Sequence, residues 1–313
     1  MAISVAQTEI MKRKILMYSV VAAIVVLIAG IALGLAIIKK DPRLPEKQRD
    51  DAYGYQIRAV IIDAIVLAVL VMLFPYGAYT QKVNSQVIGI EERLPEFLRD
   101  VAEAGRFGMT LADAIMTAAA GRYGPLTDEI KKMSAQIEWG VPATEALTLF
   151  SKRVDTPMVN RLVAVIIKAS EAGGNVADVL TMVSRDAKEL LLTKHETQIA
   201  MSTYLVVIYI AFGVFLFTIY ILNSVFLPQM KQAGTGVAEA IAKTGQSVPS
   251  NLQINVGVIV ELAFVFIVAI IAHAIGDGLM AGVLYGGKVT LGFLHSGIML
   301  ASGYFFLRLT SPI

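Results

Sequence analysis

The stretch GVLYGGKV, Gly282 to Val289, fits G-x-x-x-x-G-K, the spacing with which a phosphate loop wraps backbone N–H groups around a nucleotide. Such a loop also needs Ser or Thr after the lysine to reach magnesium, a strand before it and a helix of an α/β domain after it. Val289 stands in that place and long apolar runs flank the stretch, so it reads as a glycine-rich turn that needs no ligand. The three histidines, His195, His273 and His295, have no partner at a ligand spacing such as H-x-x-x-H. With no cysteine anywhere, disulfides, thiolate metal sites and a cysteine nucleophile are excluded. No metal, no cofactor and no convergent acid, base and nucleophile of an enzyme are therefore expected. Asp63, Glu261 and His295 fall inside apolar runs, with His273 near the end of one. At membrane depth such groups are candidates for function, proton carriage included. The plainer expectation for Asp63 and Glu261 is a bond to a backbone or polar group of a neighbouring helix.

The elements that must position these residues are set by hydropathy. Of 313 residues, 56% are hydrophobic and 17% charged, and the mean hydropathy is +0.66, far above a soluble domain. Five runs are long enough to cross a bilayer: Ile15 to Ile38, Ala59 to Tyr79, Ser202 to Leu227, Ile254 to Ile275 and Val289 to Leu309. The first is too long for a secretory signal and reads as an anchor. In the fifth, Gly292, Ser296, Gly297 and Ala301 form small-x-x-x-small steps, suited to a dimer seam or to an intramolecular contact.

Lys12, Arg13 and Lys14 put the N-terminus in the cytoplasm, with the charged block 80–199 and the turn at Lys288 on the same side. The loop Lys39 to Asp51 is then placed outside although it carries five basic residues. The expected domains are a two-span membrane region 1–79, a cytoplasmic block 80–199 and a three-span membrane region 200–313. Within the block, 14 Lys/Arg against 16 Asp/Glu leave no basic excess, which removes support for nucleic-acid binding.

The block has helical periodicity throughout. Leu94, Phe97, Leu98 and Val101 fall at i, i+3, i+4 and i+7, opposite Glu92, Arg93, Glu96, Arg99, Asp100 and Glu103. Similar stripes follow at Leu111 to Ala118, Leu126 to Ile137, Ala143 to Phe150 and Val176 to Leu191. The segment from Pro157 is apolar on most sides, as a central helix would be.

One punctuation recurs three times, in EAGRFGMTLADAI, EWGVPATEAL and EAGGNVADVL. Glu103, Glu138 and Glu171 close a helix against its dipole, and Gly105, Gly140 and Gly173-Gly174 follow as C-caps. Thr110 or Asn175 then caps the next helix with Asp113 or Asp178 three residues on, and Pro142 takes a first helical position. The expectation is all-α: about five transmembrane helices and one cytoplasmic six-helix antiparallel bundle. From Asn175 to Phe212 there is no Pro or Gly, so the last bundle helix and the third span can form one rod of 38 residues, about 57 Å.

LPEFLRDVAEAGRFGMTLADAI, IIKASEAGGNVADVL and RDAKELLLTKHETQIAMSTYLVVIYIAFGVFLF resemble the type II secretion system F family, closest to its archaeal and tight-adherence pilus branches. GDGLMAGVLYGGKVTLGFLHS is similar to the ending of archaeal members. The resemblance implies a platform in the cytoplasmic membrane without covalent chemistry. It implies binding of a hexameric secretion ATPase and assembly of pilin-like subunits into a filament of a pilus, archaellum or secretion machine. Many members carry two such helical domains and this chain one, which points to a homodimer or a heterodimer with a paralogue. Under this reading Arg99, Arg106, Lys152 and Arg153, near hairpin ends, are candidate ATPase contacts, with a solvated face as the bland alternative. Asp63 and Glu261 become candidates for holding a pilin. A small secondary transporter or channel is the competing reading, motivated by Asp63, Glu261 and His295, although no repeated halves are visible.

Overall fold

A computed structural model describes residues 5–38, 46–230, 232–234, 236 and 256–310. Every helix or strand element among them is helical. Helices α1 (Val5–Ile37) and α2 (Glu46–Arg106) are followed by α3 (Leu111–Ala118), α4 (Thr127–Glu138), α5 (Ala143–Val154) and α6 (Pro157–Glu171). Then come α7 (Val176–Ile221), α8 (Val256–Gly286) and α9 (Val289–Thr310). Five helices carry stretches long and apolar enough to span a bilayer, so the chain is an all-α, multi-pass membrane protein.

One long helix departs from the expected segmentation, and the expected rod is present and longer than expected. α2 runs 61 residues without a break through Pro75, Gly77, Gly89 and Pro95. Each proline deletes one helical hydrogen bond but need not stop a helix whose neighbours compensate. Ser184 Oγ of α7 donates 2.8 Å to the Pro95 carbonyl and so ties the two helices together. The expected loop Lys39 to Asp51 is helical from Glu46, and residues 39–45 lie outside the described residues. α7 is continuous from Val176 to Ile221, past Gly213, before a π-helical segment at Leu222–Phe226.

The described residues divide into two compact units, to both of which α2 and α7 contribute. The first holds Tyr79–Ala200 and the start of α1. Its core is the predicted stripe: Leu94, Phe97, Leu98 and Val101 of α2 meet Ile115, Ile130, Met133, Leu147, Phe150, Ile166 and Val183, all nearly solvent-free. Two readings of its helices are corrected. α6 buries Val159, Leu162, Val163 and Ile166 but leaves Val165 exposed, so it is amphipathic rather than central. The α7 stripe stops at Ala187, and Leu190 is exposed.

The second unit holds Leu16–Ala78 and the described residues from Met201 onward. Its core joins Val66 and Leu73 of α2, Phe212 and Leu216 of α7, Ile270 and Ala274 of α8, and Met299 and Leu300 of α9. α8 and α9 form a hairpin whose turn is only Gly287 and Lys288, because Gly282 to Gly286 are still helical. The small residues of the fifth span resolve into an intramolecular seam. A Cβ at Gly282 would lie 2.0 Å from the Gly292 nitrogen and one at Gly278 2.3 Å from Ser296. Gly297 lies against Phe74 of α2. Such contacts let backbones approach closely, which is how apolar helices gain packing in lipid.

Candidate functional site

The first unit is an up-and-down bundle, and its turns sort to two ends. α2 and α7 run antiparallel, shown by Gly105 against Ala177, the Ser184 bond to Pro95, and Lys194 Nζ donating 2.8 Å to buried Glu91. α3 returns along α2, so that Tyr123 stacks edge-on to Phe97 and its hydroxyl donates 2.7 Å to Asp100. At the same end a Cβ on Gly89 would lie 3.3 Å from Pro125. α4 therefore starts beside Arg93 of α2 and, rising about 1.5 Å per residue, finishes level with the last turn of α2. Turns 107–110, 139–142 and 172–175 thus share one end, hereafter the tip. Turns 119–126 and 155–156 share the other.

The three tip turns are the same device. Gly108, Gly140 and Gly173 have φ of +85°, +88° and +68°. The next N–H bonds back to the carbonyl five residues earlier: Met109 to Ala104, Val141 to Gln136 and Gly174 to Ala169. These are Schellman caps, which favour glycine because a Cβ strains the left-handed conformation. In the first turn the capping glycine is Gly108, not Gly105, which stays inside α2 where its missing side chain admits Ala177. Thr110 accepts from the Asp113 N–H, and the Asn175 amide donates 2.7 Å to Asp178. Pro142 is the N-cap rather than the first residue of α5.

The glutamates that close these helices point outward. Glu103 lies 3.7 Å from Arg99 of its own helix and Glu138 accepts from Ser134, while Glu171 is exposed. Beside them stand Trp139 and Phe107, 89% and 86% exposed, which the sequence reading did not single out.

The four candidate contact cations are not one cluster. Arg99 and Arg106 are exposed on the last turns of α2 near the tip, and Lys152 is exposed at the other end. Arg153 is not an exposed contact. Its Nε donates 2.7 Å to Glu129, a carboxylate buried in α4 and also held by Lys132 at 2.6 Å. Nothing in the local pattern marks that pair, which joins residues 24 apart in sequence.

Burial is the main reason that the Tyr123 hydroxyl is pushed well above its ordinary value, and its bond to Asp100 adds to the effect.

In the membrane unit Asp63, His273 and His295 each have a polar partner. Asp63 of α2 pairs with Arg308 of α9, whose guanidinium also lies over the Tyr304 ring. The expected polar partner of Asp63 is thus a full charge, which removes much of the cost of carrying it in lipid. Arg308 itself carried no signal beyond its place at the end of a span. His295 Nδ1 is 2.9 Å from the Tyr209 hydroxyl, and His273 is 2.8 Å from Asp277. Glu261 falls within α8, but its side chain lies outside the described residues. Among the described residues no cluster of His, Asp or Glu has metal-binding geometry.

Comparison with known proteins supplies the framework for this geometry. Residues 97–223 match the family described as type II secretion system (T2SS), protein F. An uncharacterized protein of Methanocaldococcus jannaschii is 27% identical over 247 residues, covering 79% of this chain and 38% of that protein. The chain therefore spans well under half the length of that relative. No solved structure matches. The matched segment begins at Phe97 in the bundle, takes in all three Schellman turns and ends in the π segment of α7. Residues 97–223 are thus a helical domain similar to protein F of the type II secretion system.

Proposed function

We propose that this protein is the membrane platform of a pilus-like or secretion-like machine, without covalent chemistry of its own. It sits in the cytoplasmic membrane with its N-terminus and bundle on the cytoplasmic side. The bundle takes hold of a hexameric secretion ATPase, and the membrane helices hand pilin-like subunits from the bilayer into a filament. The platform works as a pair of copies or with a paralogue. What carries the reading is the family match over the bundle together with the five apolar helices. The continuity of α7 from Val176 to Ile221 supports a route for force, since an unbroken helix moves its two ends together. Arg99, Arg106 and Lys152 remain proposed contacts for the motor; Arg153 does not, being bound to Glu129.

A transporter or channel loses two of its three motivating residues, because Asp63 is held by Arg308 and His295 by Tyr209. The test is a short Gly-Ser insertion between Lys194 and Thr197, in cells whose own copy is deleted. Deletion abolishes filaments, the wild-type gene restores them, and the insertion does not. Filaments restored by the insertion would refute the force route; filaments surviving the deletion would refute the platform reading.

A further inference from the structure

We propose that the tip of the bundle is a docking face for a basic protein surface, with Trp139 and Phe107 as its anchors. The partner is the motor invoked above, so the identity of the occupant rests on that reading. Trp139 and Phe107 are the two most exposed large apolar side chains among the described residues. They occupy the first and third turns of the bundle, which its up-and-down order brings to one end. Neither is explained by lipid contact, as the exposed residues of the spans are. Large aromatics held open on rigid caps are the side chains that dominate binding energy at protein interfaces.

Charge selects the occupant. The last and first helical turns that form the tip carry six carboxylates, Glu103, Asp113, Glu138, Glu145, Glu171 and Asp178, against two cations, Arg106 and Lys168. Glu103, Glu138 and Glu171 stand at helix C-termini, where the dipole makes a carboxylate unfavourable; exposed contacts within their own helices, Arg99 to Glu103 and Ser134 to Glu138, offset this only weakly. An anionic lipid surface would be repelled by this rim. A second copy presenting its own tip would bring like charges together, because a two-fold contact pairs a patch with itself. A partner rimmed by Lys and Arg, with pockets for an indole and a phenyl ring, satisfies both the apolar and the acidic features.

Trp139 is the single tryptophan of the chain, so 5-fluorotryptophan labelling places one 19F reporter on the tip. The labelled full chain, in nanodiscs of neutral lipid, is titrated with the hexameric secretion ATPase of the same genome. Parallel titrations use anionic-lipid vesicles and rising concentrations of the chain itself. Complex formation is followed independently by sedimentation. The expected result is that the ATPase binds, the resonance shifts, and rising salt weakens the complex. Trp139→Ala or Phe107→Ala then raises Kd roughly thirtyfold, as loss of an anchor does. The double variant Glu138→Lys with Glu171→Lys also weakens binding, and Arg161→Ala, on the first turns of α6, does not. Circular dichroism of each variant checks that the helices are intact.

If the ATPase sediments with the chain and the resonance does not move, the docking face is wrong and the platform reading stands. If the ATPase does not bind, both fall. A shift produced instead by vesicles or by the chain's own concentration overturns the assignment to a basic protein.

Discussion

The most informative single contact in the bundle is one that ties a buried carboxylate to a residue expected on the surface. Glu129 is 3% exposed and receives both Lys132 and Arg153. Removing one partner of a buried ion pair leaves a desolvated charge, which costs about 3–5 kcal/mol, whereas replacing both by apolar residues of similar volume is far less harmful. Arg153→Ala should therefore lower bundle stability in denaturant unfolding, by less than that amount because Lys132 still reaches Glu129, and Glu129→Leu combined with Arg153→Met should recover most of the loss. Tyr123 makes a second residue-scale prediction. Its folded-state pKa is raised, by burial first and by Asp100 second. At pH above about 10 the unfolded tyrosine loses its proton while the folded one keeps it, so this contribution to stability is full below that pH and falls as pH rises through it. Tyr123→Phe should flatten the alkaline limb of a stability-versus-pH curve, and an unchanged limb would show that the hydroxyl is not the group responsible.

Among the elements, the α8–α9 hairpin owes its closeness to missing side chains rather than to polar bonds. A Cβ at Gly282 meets backbone atoms of Gly292 and Leu291, which cannot swing aside as a flexible side chain would. Gly282→Leu should force the helices apart and lower the thermal midpoint of the detergent-solubilised protein. Gly276→Ala, in the same helix with open space at its Cβ, should leave the midpoint unchanged or raise it slightly, since alanine favours helix over glycine by about 1 kcal/mol. Equal losses from both changes would show that helix propensity, not the seam, controls stability. The two polypeptide runs that contribute to both units, α2 and α7, behave differently as sequence. α7 reads as continuous because no proline or glycine interrupts it up to Phe212. α2 reads as a span, Ala59 to Tyr79, and a separate amphipathic helix around Leu94 to Val101, because the composition changes between them, yet one helix runs through both.

For the molecule as a whole, the absence of cysteine makes its orientation directly measurable. Single cysteines placed at exposed Lys152 and at Trp139 should react with a membrane-impermeant maleimide only after the cytoplasmic face is opened. Labelling of both in intact cells would turn the bundle outward and end the motor reading. The family match ends at residue 223, just past α7 and before α8 and α9.

Helical class, the five spans, the core stripe Leu94 to Val101 and the tip turns, with the caps at Gly140 and Gly173, were legible in the residues alone. All of these depend on interactions within a few positions or on transfer of apolar side chains from water, and both leave a periodic or compositional trace. Tertiary structure alone decided that Gly108 rather than Gly105 caps α2, that Arg153 turns inward to Glu129, that Asp63 meets Arg308, and that Trp139 and Phe107 stand open on one end. Each of those outcomes depends on which distant segment arrives beside a residue. A side chain's partner across 24 or 245 positions is set by packing of whole helices, and no local pattern encodes it.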